Sequence, residues 1–274
     1  MKNNSFDYSY HYNNWHCDTA ESENNDINYA KFMFRIHNLL PIKKSAKILE
    51  IGCGMGRYLK MLRNAGYNDL TGIDIDESQI EIARRNEKNI FLSDAYEFLI
   101  KDKNKYDVIY MFDVLEHIAK EEQLPLLNEI KKHLTQNGFV AICVPCATCP
   151  TANYYRYLDF THVVSYTRHS IGFLLHNAGL HYYTVRPQYQ ESEHIQMLKL
   201  PWARLYRDEF GIADPILTAN LVAVAFQNED AFKKYIADVP EIHNDYAEPQ
   251  PPQAVPEKPR GIKRLWKHIR EMKF

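Results

Sequence analysis

The chain has 274 residues, 45% of them apolar and 25% charged, with a formal net charge of −2. That length admits one large domain or two small ones. The near-neutral balance excludes a general nucleic-acid binder, which needs a basic surface to displace counterions.

No segment holds the roughly 18 uninterrupted apolar residues of a bilayer span. The opening stretch, "MKNNSFDYSYHYNNW", is polar and aromatic, without an apolar signal core. A cytoplasmic location is the expectation. Five cysteines, Cys17, Cys53, Cys143, Cys146 and Cys149, include the run "CVPCATC". That run supplies three ligand-type residues, and no fourth stands at structural-zinc spacing. Reduced thiols and no metal are therefore expected.

Residues 1–45 begin polar and become helical in "NYAKFMFRIHNLLP", stopped by Pro41. From Lys47 a regular alternation starts. "KILEI" reads as a buried strand and "GRYLKMLRNAG" as a helix ended by Gly66. "LTGIDI" is a strand, "DESQIEIARRN" a helix, "NIFLSD" a strand and "AYEFLIKD" a short helix. "YDVIYMFDVL" is a strand, "EEQLPLLNEIKKHL" a helix closed by "TQNG", and "FVAICVP" another strand. Strands alternating with helices predict a parallel sheet covered on both faces.

Then the rhythm breaks. Residues 146–167 read as a long aromatic loop, followed by a helix in "RHSIGFLLHNAGL" and a strand in "HYYTVRP". Residues 188–217 read as irregular, and "TANLVAVAF" as the last strand. Residues 240–259 are Pro-rich and read as an extended linker. In "RGIKRLWKHIREMKF", Ile262, Leu265, Trp266, Ile269 and Met272 recur at helical spacing, with Arg260, Lys263, Arg264, Lys267, Arg270 and Lys273 on the other face. The expected organisation is a polar and helical cap (1–45), a main domain (46–230), a linker (240–259) and a basic amphipathic helix (260–274).

The chemistry concentrates at the ends of the predicted strands. Gly52, Gly54 and Gly56 follow the first strand with single residues between them. A dinucleotide turn spaces its glycines as Gly-x-Gly-x-x-Gly, so this turn is tighter. Bare backbone lets a ligand approach where a Cβ would clash. Asp74 ends the second strand, placed to accept hydrogen bonds from ribose hydroxyls. Asp94 ends the third, near where an adenine amino group would sit, and "FDVLEHI" ends the fourth. Carboxyl ends of successive strands are the ligand edge of such sheets.

Taken together, "LEIGCGMG", "GIDID", "SDA", "YDVIYMFDVLEHI", "LTQNGFVAICVP" and "AGL" resemble the successive motifs of class I S-adenosylmethionine (SAM)-dependent methyltransferases. The likeness runs over 47–187, and 218–226 is similar to that family's last, antiparallel strand. It implies an α/β, Rossmann-like, doubly wound seven-stranded sheet with the last strand antiparallel. It also implies SAM as cofactor and S-adenosylhomocysteine (SAH) as product. Gly52, Gly54 and Gly56 would hold the methionine part, Asp74 the ribose, and Ile75 would pack on the adenine. Asp94 and Ala95 would flank the base, with Glu50 and the Met111–Phe112 backbone near the sulfonium and amino groups. "TQNG" stands where the family more often has Pro-Gly-Gly.

Methyl transfer gains most from aligning acceptor, methyl and sulfur. An oxygen acceptor of high pKa also needs a base, and histidine is suited to that task near neutral pH. His117 follows the fourth strand directly. His162 lies in the aromatic loop with Asp159 three residues before it, placed to orient the imidazole. Tyr154, Tyr155, Tyr157 and Tyr166 line the same loop.

The fold leaves the acceptor open. The stretch "YLDFTHVVSYTRHSIGFLLHNAGL" resembles bacterial methyltransferases associated with surface-polysaccharide assembly. O-methylation of a surface-glycan sugar or its precursor is therefore the leading expectation. The alternatives are transfer to a quinone-like metabolite or an amine, and a SAM-binding scaffold without turnover. A basic helix bearing a tryptophan suits an anionic membrane or a partner such as a glycosyltransferase. Contact with the inner face of a membrane is an expectation on that ground.

Overall fold

The computed structural model describes residues 36–239. The expected linker and basic helix, and most of the expected N-terminal cap, lie outside them. Seven strands form one sheet: β1 (Lys47–Ile51), β2 (Asp69–Asp74), β3 (Ile90–Leu92), β4 (Tyr106–Phe112), β5 (Leu134–Pro145), β6 (Tyr182–Pro187) and β7 (Asn220–Phe226). Their order is β3-β2-β1-β4-β5-β7-β6. β1 pairs in parallel with β2 and β4, β2 with β3, and β4 with β5. β7 runs antiparallel to both β5 and β6. The expected seven-stranded sheet with an antiparallel last strand is therefore present.

Among the described residues eight helices surround it: α1 (Arg57–Asn64), α2 (Glu77–Ala83), α3 (Ala95–Lys101), α4 (Lys120–His133), α5 (Ala152–Leu158), α6 (Arg168–Asn177), α7 (Glu193–Phe210) and α8 (Glu229–Asp238). Strand side chains alternate between faces, so a sheet covered on both sides needs apolar residues at every position. Leu49, Ile51, Ile109 and Met111 enter one apolar core with Leu127 and Ile130 of α4. Ile48, Val108 and Tyr110 enter the other with Leu59 and Leu62 of α1. The chain approaches β1 tied to these cores, with Tyr110 donating to the Leu39 carbonyl at 2.7 Å and Tyr67 to that of Pro41 at 2.6 Å.

Three segments differ from expectation. Residues 188–217 contain the 18-residue helix α7. Ser192 caps its start and left-handed Gly211 its end, but Ala203 is its one buried residue. A helix that buries so little shows no apolar stripe to read, and Pro201 inside it reads as a breaker. Within the expected loop of 146–167, Ala152–Leu158 is helical with no buried residue. The "TQNG" turn is drawn into β5: pairing with β4 jumps from Tyr106↔Leu134 to Val108↔Phe139. Gly138 sits so close there that a Cβ would lie 2.8 Å from the Tyr106 carbonyl oxygen.

Strand order reverses direction between β1 and β4, where β1 leads out to β2 and β4 leads on to β5. The crevice outside the carboxyl ends of the strands at such a switch point is where open α/β sheets bind ligands.

Candidate active site

The turn after β1 sets one wall of that crevice. Gly52, Gly54 and Gly56 have φ of 73°, 50° and 79°, the left-handed region. Side-chain-bearing residues pay about 1–2 kcal/mol there. At Gly52 space forbids a side chain as well, because a Cβ would overlap Val114 Cγ2. The turn folds back onto β2: the amides of Gly52 and Cys53 both donate to the Ile73 carbonyl, at 2.8 and 2.9 Å.

Asp74 completes the turn. Its Oδ2 accepts from the Gly54 amide at 2.8 Å and its Oδ1 from the Asp76 amide at 2.9 Å. Burial raises its pKa, opposed by those two amide bonds. Ile75, beside it, is 67% exposed, an apolar surface at the ligand edge. Asp76 caps α2 through Ser78 and Gln79.

Glu50 lies beneath the turn, 1% exposed, and its Oε2 has no hydrogen-bond partner. Burial first, and then the charge of Asp74, hold its carboxyl well above the ordinary value of 4.5. A buried acid in this state suits a cationic ligand group, which would stabilise its ionised form. Asp94 caps α3, with its Oδ1 accepting from the amides of Tyr96 and Glu97 at 2.8 and 3.1 Å. Ala95 is the first residue of that helix. Met111 and Phe112 are buried at the end of β4. Asp113, next in the chain, has φ 55°, the one non-glycine among the described residues with positive φ.

After Asp113 and Val114 the chain enters the 3-10 turn Leu115–His117. Val163 donates its amide to the Glu116 carbonyl at 2.7 Å, which brings the two histidines together. The His117 and His162 rings lie 4.7 Å apart, tilted by 60°. His162 Nδ1 is 3.1 Å from the Tyr155 carbonyl oxygen. A carbonyl only accepts, so Nδ1 carries the proton and Nε2 the lone pair. His117 Nδ1 is 2.8 Å from Thr161 Oγ1, and that hydroxyl donates to Asp159 Oδ1 at 2.6 Å. The hydroxyl proton is committed to the carboxylate, so His117 Nδ1 donates and its Nε2 is basic too. Asp159 was expected to orient His162. Its carbonyl accepts from the His162 amide at 3.3 Å, and its carboxylate also reaches His117 through Thr161.

Glu116 escaped sequence reasoning. It is fully buried beside both rings, and neither carboxylate oxygen has a hydrogen-bond partner. His162 Nε2 lies 4.0 Å from Glu116 Oε1. The signal was available in "DVLEHI", where an acid directly precedes the candidate histidine. Cys143, Cys146 and Cys149 are buried free thiols. Cys146 Sγ is 3.2 Å from the Ile216 carbonyl oxygen, a structural contact.

Comparison with known proteins bears directly on this edge. Residues 26–185, more than half the chain, match a family model described as "Methyltransferase domain". The chain belongs to the methyltransferase domain family. Curated relatives include the ubiquinone biosynthesis O-methyltransferases of Pelagibacter ubique (31% identical, over 40% of this chain and 46% of that protein) and Rickettsia akari (37% identical, over 35% and 39%). The match thus spans less than half the length of these relatives. Among solved structures, a SAM-dependent methyltransferase from Archaeoglobus fulgidus superposes with a TM-score of 0.59 at 19% identity, covering 77% of this chain and 99% of that one. The plantazolicin methyltransferase BpumL in complex with SAH superposes with 0.51 at 19% identity, covering 78% and 90%. These structures share the methyltransferase fold. No helix among the described residues is long and apolar enough to cross a membrane.

Proposed function

We propose that this chain is a SAM-dependent O-methyltransferase acting on a hydroxyl of a small molecule. The cofactor assignment is supported by the fit of the first wall. The glycine turn leaves backbone bare, Asp74 is fixed at its rim, Ile75 offers an exposed apolar face, and Glu50 has an unpartnered buried oxygen for a cationic group. Gly52, Gly54, Gly56, Asp74, Ile75, Asp94, Ala95, Glu50 and the Met111–Phe112 backbone would hold it. Bound there, SAM supplies a methyl group activated by its positively charged sulfur.

The observation that carries the acceptor reading is the histidine pair with both basic nitrogens set by their neighbours. His117 receives the acceptor's hydroxyl proton at Nε2, and its imidazolium is stabilised through Thr161 by Asp159. Tyr154, Tyr157 and Phe160 are exposed in the segment that carries His162 and suit a flat ring.

The names of the curated relatives favour the quinone-like alternative over the glycan. A sugar acceptor, the leading expectation from sequence, finds no counterpart among them. The test is methyl transfer from labelled SAM to a panel of phenols, catechols, free sugars and amines. Labelled phenol ether, lost in His117→Ala, supports the reading. Transfer to amines alone overturns it.

A further inference from the structure

We infer that Glu116, His117 and His162 form a binding site for a divalent transition-metal cation of the zinc class. This goes beyond the proposed transfer, because a bound cation would take over from His117 the activation of the acceptor hydroxyl, and its ligands stand on geometry independent of that reading.

One ligand atom from each of the three residues lies within 4.8 Å of the other two. Zinc–ligand bonds of about 2.0–2.2 Å in a tetrahedron separate ligand atoms by roughly 3.4 Å. The His162 Nε2 to Glu116 Oε1 distance is 4.0 Å and the other separations are no more than 4.8 Å, so the ligand atoms draw together by up to about 1.4 Å to close the set. Two imidazoles and one carboxylate are a familiar donor set for catalytic zinc and ferrous iron, with positions left for water or substrate.

Two further observations point to a cation. Both oxygens of fully buried Glu116 lack a hydrogen-bond partner, although buried polar atoms are costly to leave unsatisfied. The second is the outer ring of hydrogen bonds. A metal-bound histidine ordinarily gives its other N–H to a carbonyl, carboxylate or comparable acceptor, which fixes the tautomer and aims the lone pair. His162 does so to the Tyr155 carbonyl, and His117 to Thr161, itself held by Asp159. Both lone pairs are thereby left at Nε2. Part-exposed histidines over a buried acid also leave an entry path, with the His162 side chain 12% exposed against 1% for Glu116.

A cation here changes the chemistry. With both imidazoles coordinated, the rings no longer take protons. The cation itself would lower the pKa of a bound acceptor hydroxyl, whose proton leaves to water.

The experiment uses the full chain stripped with chelator, then titrated with zinc and with cobalt(II), with SAH binding measured on the same sample. The inference predicts one cation per chain and a cobalt spectrum without a thiolate charge-transfer band, which rules out the cysteines. Glu116→Gln and His162→Ala each weaken zinc at least 100-fold. Thr161→Val, which keeps all three ligands and guards against misfolding of the buried Glu116 variant, weakens it about 10- to 100-fold. Zinc binding unchanged in Thr161→Val and His162→Ala overturns the site. So does full turnover in excess chelator, and that outcome returns the base role to His117. Loss of SAH binding in the stripped, folded wild type would instead strike the proposed function.

Discussion

His117 Nδ1 lies 2.8 Å from Thr161 Oγ1, across 44 residues of chain. The bond joins the turn after β4 to the loop after α5 and sets the tautomer of the His117 ring. Replacing Thr161 with Val removes the acceptor and frees the ring to take either tautomer. The expected result is a fall in kcat of about 10- to 100-fold with little change in acceptor KM. Thr161→Ser should recover most of the loss. A variant with parental kcat would show that the bond only holds the loop.

Gly52 and Gly211 separate strain from crowding. Both have positive φ, 73° and 68°. A Cβ at Gly211 meets nothing within 4 Å, whereas one at Gly52 overlaps Val114. Gly211→Ala should cost about 1–2 kcal/mol in denaturant unfolding, the backbone term alone. Gly52→Ala should cost roughly 2–5 kcal/mol, with overpacking added. Equal costs would mean that Val114 moves aside freely.

Asp74 holds the glycine turn by accepting the Gly54 amide. Asn at this position keeps one acceptor and turns an amide toward a neighbouring N–H. Hydrogen bonds to charged groups contribute about 1.5–3 kcal/mol, so SAH should bind roughly 10- to 100-fold more weakly to Asp74→Asn. Calorimetry on a variant with parental circular dichroism checks this.

Glu50 makes a pH-dependent contribution whose sign is fixed by its burial. Its folded-state pKa lies above the ordinary 4.5, chiefly through desolvation. The folded state therefore binds more protons than the unfolded state once pH exceeds about 4.5, and stability falls as pH rises. Glu50→Gln removes that dependence. Its melting temperature should gain on the parent's steadily between pH 4.5 and neutrality. A gap independent of pH would contradict the assignment.

Much of this fold was legible because buried parallel strands leave few choices. "KILEI" is a strand as read, and of "YDVIYMFDVL" the strand takes Tyr106–Phe112, the rest turning into the 3-10 turn. Asp76 and Asp94 cap helices where those helices were expected to begin. Helix α7 was hidden because Met197, Leu198 and Phe210 stay exposed, so its pattern carries no burial signal. The residues expected at the cofactor cluster about strand ends, with Gly52 following β1 and Asp74 closing β2, so their places in the fold were legible. The histidine site was half visible. His117 and His162 stood out by residue type, but the Asp159–Thr161–His117 relay is a tertiary arrangement that sequence spacing does not encode. Glu116 was passed over because its role comes from burial.

The central claim is that the glycine turn beside Asp74 cradles the methyl donor. Its most direct test is calorimetric titration of SAH into the full chain and into Gly52→Ala under conditions where both are folded. The account predicts one SAH per wild-type chain and at least a tenfold loss of affinity in the variant. No binding to the folded wild type, or equal affinity in the two proteins, would contradict it.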